Sequence, residues 1–160
     1  SMASGRAHDR ATLIVSAPLG LCMATLGGID AGLVAAAACS FGGLWLSPDL
    51  DTHSNALRRW GALRGLWWPY RRLIPHRSLW SHGPLIGTGL RLLLLLGWWV
   101  LLSGLIGWPR NAGLPQLASW LEQQPHQAIA LVIGLETSAW LHLILDGDPW
   151  PVEWAQRRRR

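Results

Sequence analysis

The sequence of 160 residues contains no lysine, and only 14% of its residues are charged. Soluble domains usually carry about 25% charged residues, so this composition argues against an ordinary soluble domain. Arginine supplies all of the positive charge behind the net charge of +5. A basic balance fits nucleic acid, anionic lipid or a phosphorylated substrate. The long apolar runs of the chain favour lipid and argue against nucleic acid.

Cysteine and two of the aromatic residue types are also scarce. Cys22 and Cys39 both lie in apolar runs without a spaced Cys or His partner, which excludes a disulfide framework and a thiolate metal site. Phe and Tyr occur once each, whereas Trp occurs 12 times. Tryptophans near the ends of apolar runs are typical of the aromatic belt at a membrane interface. These are Trp45, Trp67, Trp68, Trp80, Trp108 and Trp150.

Four apolar runs dominate the chain, at about 11–28, 31–46, 85–108 and 128–145. Their lengths suit membrane-spanning helices, the first two being at the short end. No strand pattern and no internal repeat is present. We therefore predict a single all-α integral membrane domain over 1–160, folded as a four-helix membrane bundle. The first run, preceded by two arginines, would also suit a cleaved signal peptide.

The arginines predict the orientation of this bundle. With four spans, both termini and the polar loop 47–84 share one side of the membrane. All fourteen arginines except Arg91 and Arg110 belong to that side. Because loops rich in Arg stay in the cytoplasm, we expect both termini to be cytoplasmic.

The same topology gathers titratable side chains at the cytoplasmic ends of the helices. His142 and Asp146 are four residues apart, so they project from one helix face and could hold one ion. Imidazoles beside carboxylates suit divalent Zn, or else Mn or Fe, and the set is large enough for two ions. The predicted cytoplasmic metal site comprises His8, Asp9, Asp49, Asp51, His76, His82, His142 and Asp146.

Each part of this set also has an interpretation without metal. His8-Asp9 could cap a helix, Asp49 and Asp51 could form a turn, and the loop histidines could lie at the membrane interface. His53 could join the aspartate pair. Glu136, about 100° around its helix from the His142 and Asp146 face, would support the site rather than bind metal. The Arg- and Trp-rich middle of loop 47–84 would form a lid or a collar facing lipid headgroups.

Four segments resemble a known family: SGRAHDR (4–10), GGLWLSPDLD (42–51), RWGALRGLWWPYRRLIPHRSLWSHGPLIGTGLR (59–91) and LETSAWLHLILD (135–146). The chain resembles uncharacterised metal-binding membrane proteins related to the inner-membrane-associated metal-dependent hydrolases. The resemblance implies a metal site made of the eight residues above. The wider family has been likened to helical zinc phospholipases C and nucleases, in which a His-x-x-x-Asp helix supplies ligands. Residues 142–146 match that pattern.

Two functions follow as hypotheses. The first is a membrane-embedded, metal-dependent hydrolase acting on a phosphoester or acyl bond of an anionic or phosphorylated amphiphilic substrate. His8 and Asp9 would be ligands or the general base, and Arg77 and Arg91 would stabilise an anionic transition state. The second is a non-catalytic metal- or cofactor-binding membrane protein, acting as a small subunit or assembly factor of a larger complex. A transporter is disfavoured, because the ionisable groups form no path across the membrane.

Overall fold

The computed structural model describes residues 4–108 and 113–147. The regular secondary structure of this part of the chain is all helical, with no strand, so the all-α prediction is confirmed. The α-helices, in chain order, are α1 (Gly5–Gly27), α2 (Ile29–Leu44), α3 (Asn55–Arg59), α4 (Trp68–Leu73), α5 (Leu79–His82), α6 (Ile86–Leu105), α7 (Leu114–Gln123) and α8 (Pro125–Leu145). Two 3₁₀-helices, Pro48–Asp51 and Gly61–Trp67, precede α3 and α4.

Four helical segments of the described chain are long and apolar enough to cross a membrane: Gly5–Gly27, Ile29–Asp51, Ile86–Leu105 and Pro125–Leu145. They correspond to the four predicted apolar runs. The first helix begins before its run, because the Ser4 side chain accepts a hydrogen bond from the Ala7 N–H and caps it. The apolar run at about 11–28 predicts a helix that starts after His8 and Asp9; the structure corrects this start, because both residues lie on α1 itself.

Small residues bring α1, α2 and α8 close together along their lengths. A Cβ placed on Gly32 of α2 would lie 2.6 Å from the Gly20 carbonyl oxygen of α1, and one on Gly134 of α8 would lie 2.5 Å from the Ala35 carbonyl oxygen of α2. Small residues at such crossings let backbones approach closely, as in membrane helix pairs. The tip between α1 and α2 is Gly28, whose φ of 88° suits glycine.

The segment between α2 and α6 folds over the end of this three-helix core. Trp67 is fully buried, and it packs with Leu46, Leu50, Tyr70 and Leu135 in one hydrophobic cluster. Burial raises the pKa of Tyr70, although the neighbouring Arg91 acts in the opposite direction. The position of Trp67 corrects its assignment to the aromatic belt, because this side chain contributes to a core instead.

Helix α6 lies at the side of the core and is joined to it mainly at its beginning. Arg91 is buried, and its guanidinium donates to the Ser81 carbonyl oxygen at 2.7 Å and to Thr88 Oγ1 at 3.2 Å. The other end of α6 exposes Leu101 and Leu105, and Trp108, just beyond the helix, is also exposed. The described long helices are thus unevenly packed: α1, α2 and α8 form the core, and α6 is held by its first turns and by the Trp98 Nε1–H, which donates to the Leu66 carbonyl oxygen at 2.9 Å. Arg110, Trp150 and Arg157–Arg160, used in the predictions of orientation and aromatic belt, lie outside the described residues.

Candidate metal centre

Seven of the eight predicted ligands form a continuous row at one end of the helical core. Within the described residues they fall into three groups, and in each group one ligand atom per residue lies within 4.8 Å of the others. Neighbouring groups share a histidine, first His142 and then His82. The groups are His8, His142 and Asp146; Asp49, His82 and His142; and Asp51, His76 and His82.

The first group joins the start of α1 to the end of α8. His8 Nε2 lies 2.9 Å from Asp146 Oδ1, and His142 Nε2 lies 3.4 Å from Asp146 Oδ2. The His8 ring also stacks on the His142 ring, with centroids 4.3 Å apart. Asp146 follows the last residue of α8 and thus reaches both histidines, one of them a full turn earlier on its own helix.

Asp49 occupies the middle of the row. It lies on the 3₁₀-helix after α2, where the Ser47 side chain accepts a hydrogen bond from the Asp49 N–H. Its Oδ1 atom is 3.4 Å from His142 Nε2 and 3.8 Å from His82 Nε2. A single carboxylate oxygen therefore faces imidazoles from two different helices.

The third group lies on the side of the loop. Both oxygens of Asp51 are 3.0 Å from His76 Nδ1, and Asp51 Oδ2 is 3.8 Å from His82 Nδ1. Asp51 is buried, whereas about half of the His76 side chain is exposed. At this end of the row, solvent therefore reaches the ligands at the His76 side chain.

The donor atoms fit divalent metal ions. His82 Nε2 and His142 Nε2 are buried, and neither has a hydrogen-bond partner among the described residues. In a tetrahedral site with metal–ligand bonds of about 2.1 Å, two ligand atoms are about 3.4 Å apart. The distances from His142 Nε2 to Asp49 Oδ1 and to Asp146 Oδ2 are both 3.4 Å and equal that value. Nitrogen and carboxylate oxygen donors without a thiolate suit Zn, Mn or Fe.

A family model described as "Uncharacterized metal-binding protein (DUF2227)" matches residues 3–158. The chain belongs to this family. The match supports the metal-binding part of the resemblance drawn from the sequence, and it carries no statement about hydrolysis or a membrane. No curated protein and no solved structure matches this DUF2227 chain.

Asp9 is the one predicted ligand that lies outside all three groups of the DUF2227 centre. Its carboxylate instead accepts two hydrogen bonds from the Arg59 guanidinium, at 2.5 Å and 3.0 Å. Arg59 in turn donates to the Leu44 carbonyl oxygen, so this pair ties α1 to the end of α2 and to α3. The sequence predicts Asp9 as a metal ligand, whereas the structure pairs its carboxylate with the positively charged Arg59.

The two arginines predicted to be catalytic occupy different positions. The guanidinium of Arg91 is directed to the Ser81 carbonyl oxygen and to Thr88, not into the row of ligands. Arg77 follows the ligand His76 and has a φ of 54°, a left-handed backbone conformation that is uncommon for a non-glycine residue. A role for either residue in catalysis stays a prediction.

A cavity of about 250 Å³ opens beside the first two groups. His8, Asp49 and His142 lie in its wall together with Asp9, and residues 52–55 add hydroxyl, imidazole and amide groups to the lining. His53 is among these lining residues, and the Arg71 guanidinium lies 2.8 Å from its Nε2. Because arginine can only donate, His53 Nε2 accepts this hydrogen bond. His53 therefore borders the cavity and lies outside all three groups found among the described residues.

Two residues with a structural role near the row of ligands carry no prediction from the sequence. Ser81 Oγ lies 2.8 Å from Nδ1 of the ligand His82, and Arg59 binds Asp9, which lies outside the row. Ser81 could have been suspected, since it directly precedes a predicted ligand on a short helix. Arg59 gave no such signal, because it is one of six arginines between residues 47 and 84 and its partner is 50 positions away.

Proposed function

We propose that this chain is an integral membrane protein with a two-metal centre that hydrolyses a phosphoester or acyl bond of an amphiphilic substrate. One observation carries the proposal: the row of seven ligands borders an open polar cavity through His8, Asp49 and His142. A structural metal site is closed by its protein ligands, whereas a catalytic site keeps a position open. Access from a cavity therefore favours catalysis over a purely structural role.

The ligands divide naturally between two ions. His8, His142 and Asp146 would hold one, and Asp51, His76 and His82 would hold the other, with Asp49 between them. Divalent ions at this position would act as Lewis acids and make water a nucleophile at neutral pH. Zinc suits the nitrogen and oxygen donors best, and Mn and Fe remain compatible with them.

The remaining residues of the cavity are suited to holding a polar headgroup. Ser47, Thr52 and Asn55 offer hydrogen bonds, and His53 is fixed by Arg71. Asp9, neutralised by Arg59, adds little net charge to the wall. A cavity of about 250 Å³ accommodates a headgroup and not a whole lipid, so the acyl part of the substrate would stay outside it.

The membrane part of the proposal rests on the four long apolar helical segments. The row of ligands lies at one end of the helices, on the side that carries most of the arginines, which supports a cytoplasmic centre in contact with membrane lipid. Retention of the protein in membranes after alkaline carbonate washing tests the insertion. Release into the supernatant as folded protein would contradict it.

The function is tested by turnover with purified protein in detergent, reconstituted with Zn, Mn or Fe. Substrates are a chromogenic phosphodiester, a chromogenic acyl ester and mixed phospholipids. We expect metal-dependent release of product, reduced about 100-fold or more in His142→Ala. Loss of a residue that only supports a metal ligand already lowers activity about 10- to 100-fold, and loss of the ligand itself should lower it at least as much.

His126→Ala is the matched control for this substitution. His126 is the second residue of α8 and lies at the end opposite to His142, so its loss should leave turnover unchanged. Metal binding without turnover of any of these substrates would instead favour the non-catalytic alternative, in which the metal serves assembly or partner binding.

A further inference from the structure

His82 is a ligand in two of the three groups, and its ring is almost completely buried. Only one of its nitrogens has a hydrogen-bond partner among the described residues. Nδ1 lies 2.8 Å from Ser81 Oγ, whereas Nε2 has none and lies 3.8 Å from Asp49 Oδ1. A neutral histidine carries its proton on one nitrogen, so the neighbour of Nδ1 decides what Nε2 can offer.

Ser81 has a second acceptor for its own proton. Its Oγ is 3.0 Å from the Pro75 carbonyl oxygen, and the Ser78 N–H donates to it at 3.1 Å. A carbonyl can only accept, so the Ser81 hydroxyl can donate to Pro75 while it accepts from His82. The side chain is fully buried, and water is therefore no competitor for these bonds.

Two arrangements of the protons can be compared by counting hydrogen bonds. With the proton on His82 Nδ1, the ring donates to Ser81, Ser81 donates to Pro75, and Nε2 presents a lone pair towards Asp49. With the proton on Nε2, Ser81 must donate to Nδ1, and a buried N–H is left 3.8 Å from its nearest carboxylate. The first arrangement makes one more hydrogen bond and leaves no buried N–H unpaired, which favours it.

The serine is itself held in place from α6. The Arg91 guanidinium donates to the Ser81 carbonyl oxygen at 2.7 Å and is also almost completely buried. Gly87 allows this approach, since a Cβ there would lie 2.6 Å from the same oxygen. Arg91 therefore fixes the backbone of Ser81, and Ser81 fixes the ring of His82.

We propose that Ser81, anchored by Arg91, is the positioning residue of His82: it accepts the Nδ1 proton and thereby directs the lone pair of Nε2 towards Asp49 for a divalent cation. The part of this inference that concerns the cation rests on the proposed metal centre. Its first consequence, the position of the proton on His82, concerns the protein without metal and is independent of any activity.

That proton position is tested by ¹⁵N NMR of histidine-labelled, metal-free protein, with His82→Gln used to assign the signals. The neutral His82 ring should show the Nδ1–H tautomer in the wild type. The Nε2–H tautomer would overturn the proposal, whether or not the protein binds metal. A wild type with the Nδ1–H tautomer but no affinity for Zn, Mn or Fe would contradict the proposed function alone.

The effect on metal is tested with Ser81→Ala and the matched control Ser78→Ala. Ser78 and Ser81 form a capping box at the start of α5, so both substitutions weaken the cap. Of the two side chains, only the Ser81 hydroxyl lies within hydrogen-bond distance of the His82 ring, whereas Ser78 accepts the His82 N–H through its backbone carbonyl, which alanine retains. We expect Zn affinity, measured by chelator competition on folded protein, to fall about 10- to 100-fold in Ser81→Ala only.

Equal affinities in the two alanine variants would reduce Ser81 to a capping residue and contradict the proposal. Ser81→Thr keeps the hydroxyl and should restore part of the affinity.

If Ser81→Ala does not fold, Arg91→Lys supplies the readout, because lysine keeps the positive charge at position 91 but weakens the anchor of Ser81. Wild-type affinity in folded Arg91→Lys, together with a mixture of His82 tautomers in the wild type, would also contradict the proposal.

Discussion

Glu136 lies in the middle of α8, where an ionisable side chain is costly unless it has a partner. Its Oε2 accepts a hydrogen bond from the Leu85 N–H at 3.0 Å. Leu85 has a φ of 58°, and the Ile86 N–H donates back to the Pro84 carbonyl oxygen at 2.6 Å, so the chain makes a strained γ-turn there. A carboxylate at this position satisfies a free N–H and complements the positive end of the α6 dipole.

Removal of this carboxylate should therefore loosen the start of α6. We expect Glu136→Ala to lower the free energy of unfolding by about 1–2 kcal/mol, as for the loss of a helix cap, and Glu136→Gln to cost less, because its amide oxygen still accepts. Thermal unfolding in detergent measures both. Glu122→Ala, on the exposed side of α7, is the control. Equal stability of Glu136→Ala and Glu122→Ala would contradict the capping role.

At the scale of secondary-structure elements, the packing of α2 against α8 determines the position of His142 relative to Asp49 in the candidate metal centre. Asp49 follows α2, and His142 lies on α8 about two turns after Gly134. At Gly134 the two backbones approach so closely that a Cβ would meet the Ala35 carbonyl oxygen at 2.5 Å and the Cys39 nitrogen at 3.0 Å. Any separation of the helices at this point is expected to displace His142 from Asp49.

Gly134→Ala should thus affect both stability and metal. We expect it to lower the free energy of unfolding by about 1–3 kcal/mol, since backbone atoms must move to accept the methyl group. Zn affinity should fall with it. Gly97→Ala in α6 is the matched control: no atom lies within 4 Å of its Cβ position, so alanine should leave stability unchanged or raise it through helix propensity. Equal effects of the two substitutions would argue against close α2–α8 packing.

At the scale of the whole molecule, hydrophobic patterning predicted the long helices, because each is a run of apolar residues bounded by polar ones. Topology then placed seven ligands at one end, since helix ends on one side of a membrane are neighbours. The details depended on contacts that no local pattern carries. Asp9 pairs with Arg59, which is 50 positions away in the sequence. Trp67 is buried by residues of its own segment together with Leu135 of α8.

The burial of part of segment 47–84 could not be predicted from the sequence. Its Arg and Trp content predicts a lid or a collar that faces lipid headgroups. The structure shows in addition a small core around Trp67 and Tyr70, formed jointly with Leu135 of α8, whereas Trp68 and Trp80 of the same segment are exposed. Burial of this kind depends on the neighbouring helices, so the composition of the segment alone could not reveal it.

The central claim is that the row of seven residues, without Asp9, binds metal ions. Elemental analysis of purified protein after reconstitution with Zn, Mn or Fe tests it most directly, with Asp49→Asn and Asp9→Asn compared to the wild type. Asp49 faces two histidines of the row, whereas Asp9 is paired with Arg59. We predict about two metal ions per wild-type chain, fewer in Asp49→Asn and no loss in Asp9→Asn. A wild type without metal, or an equal loss in both variants, would contradict the account.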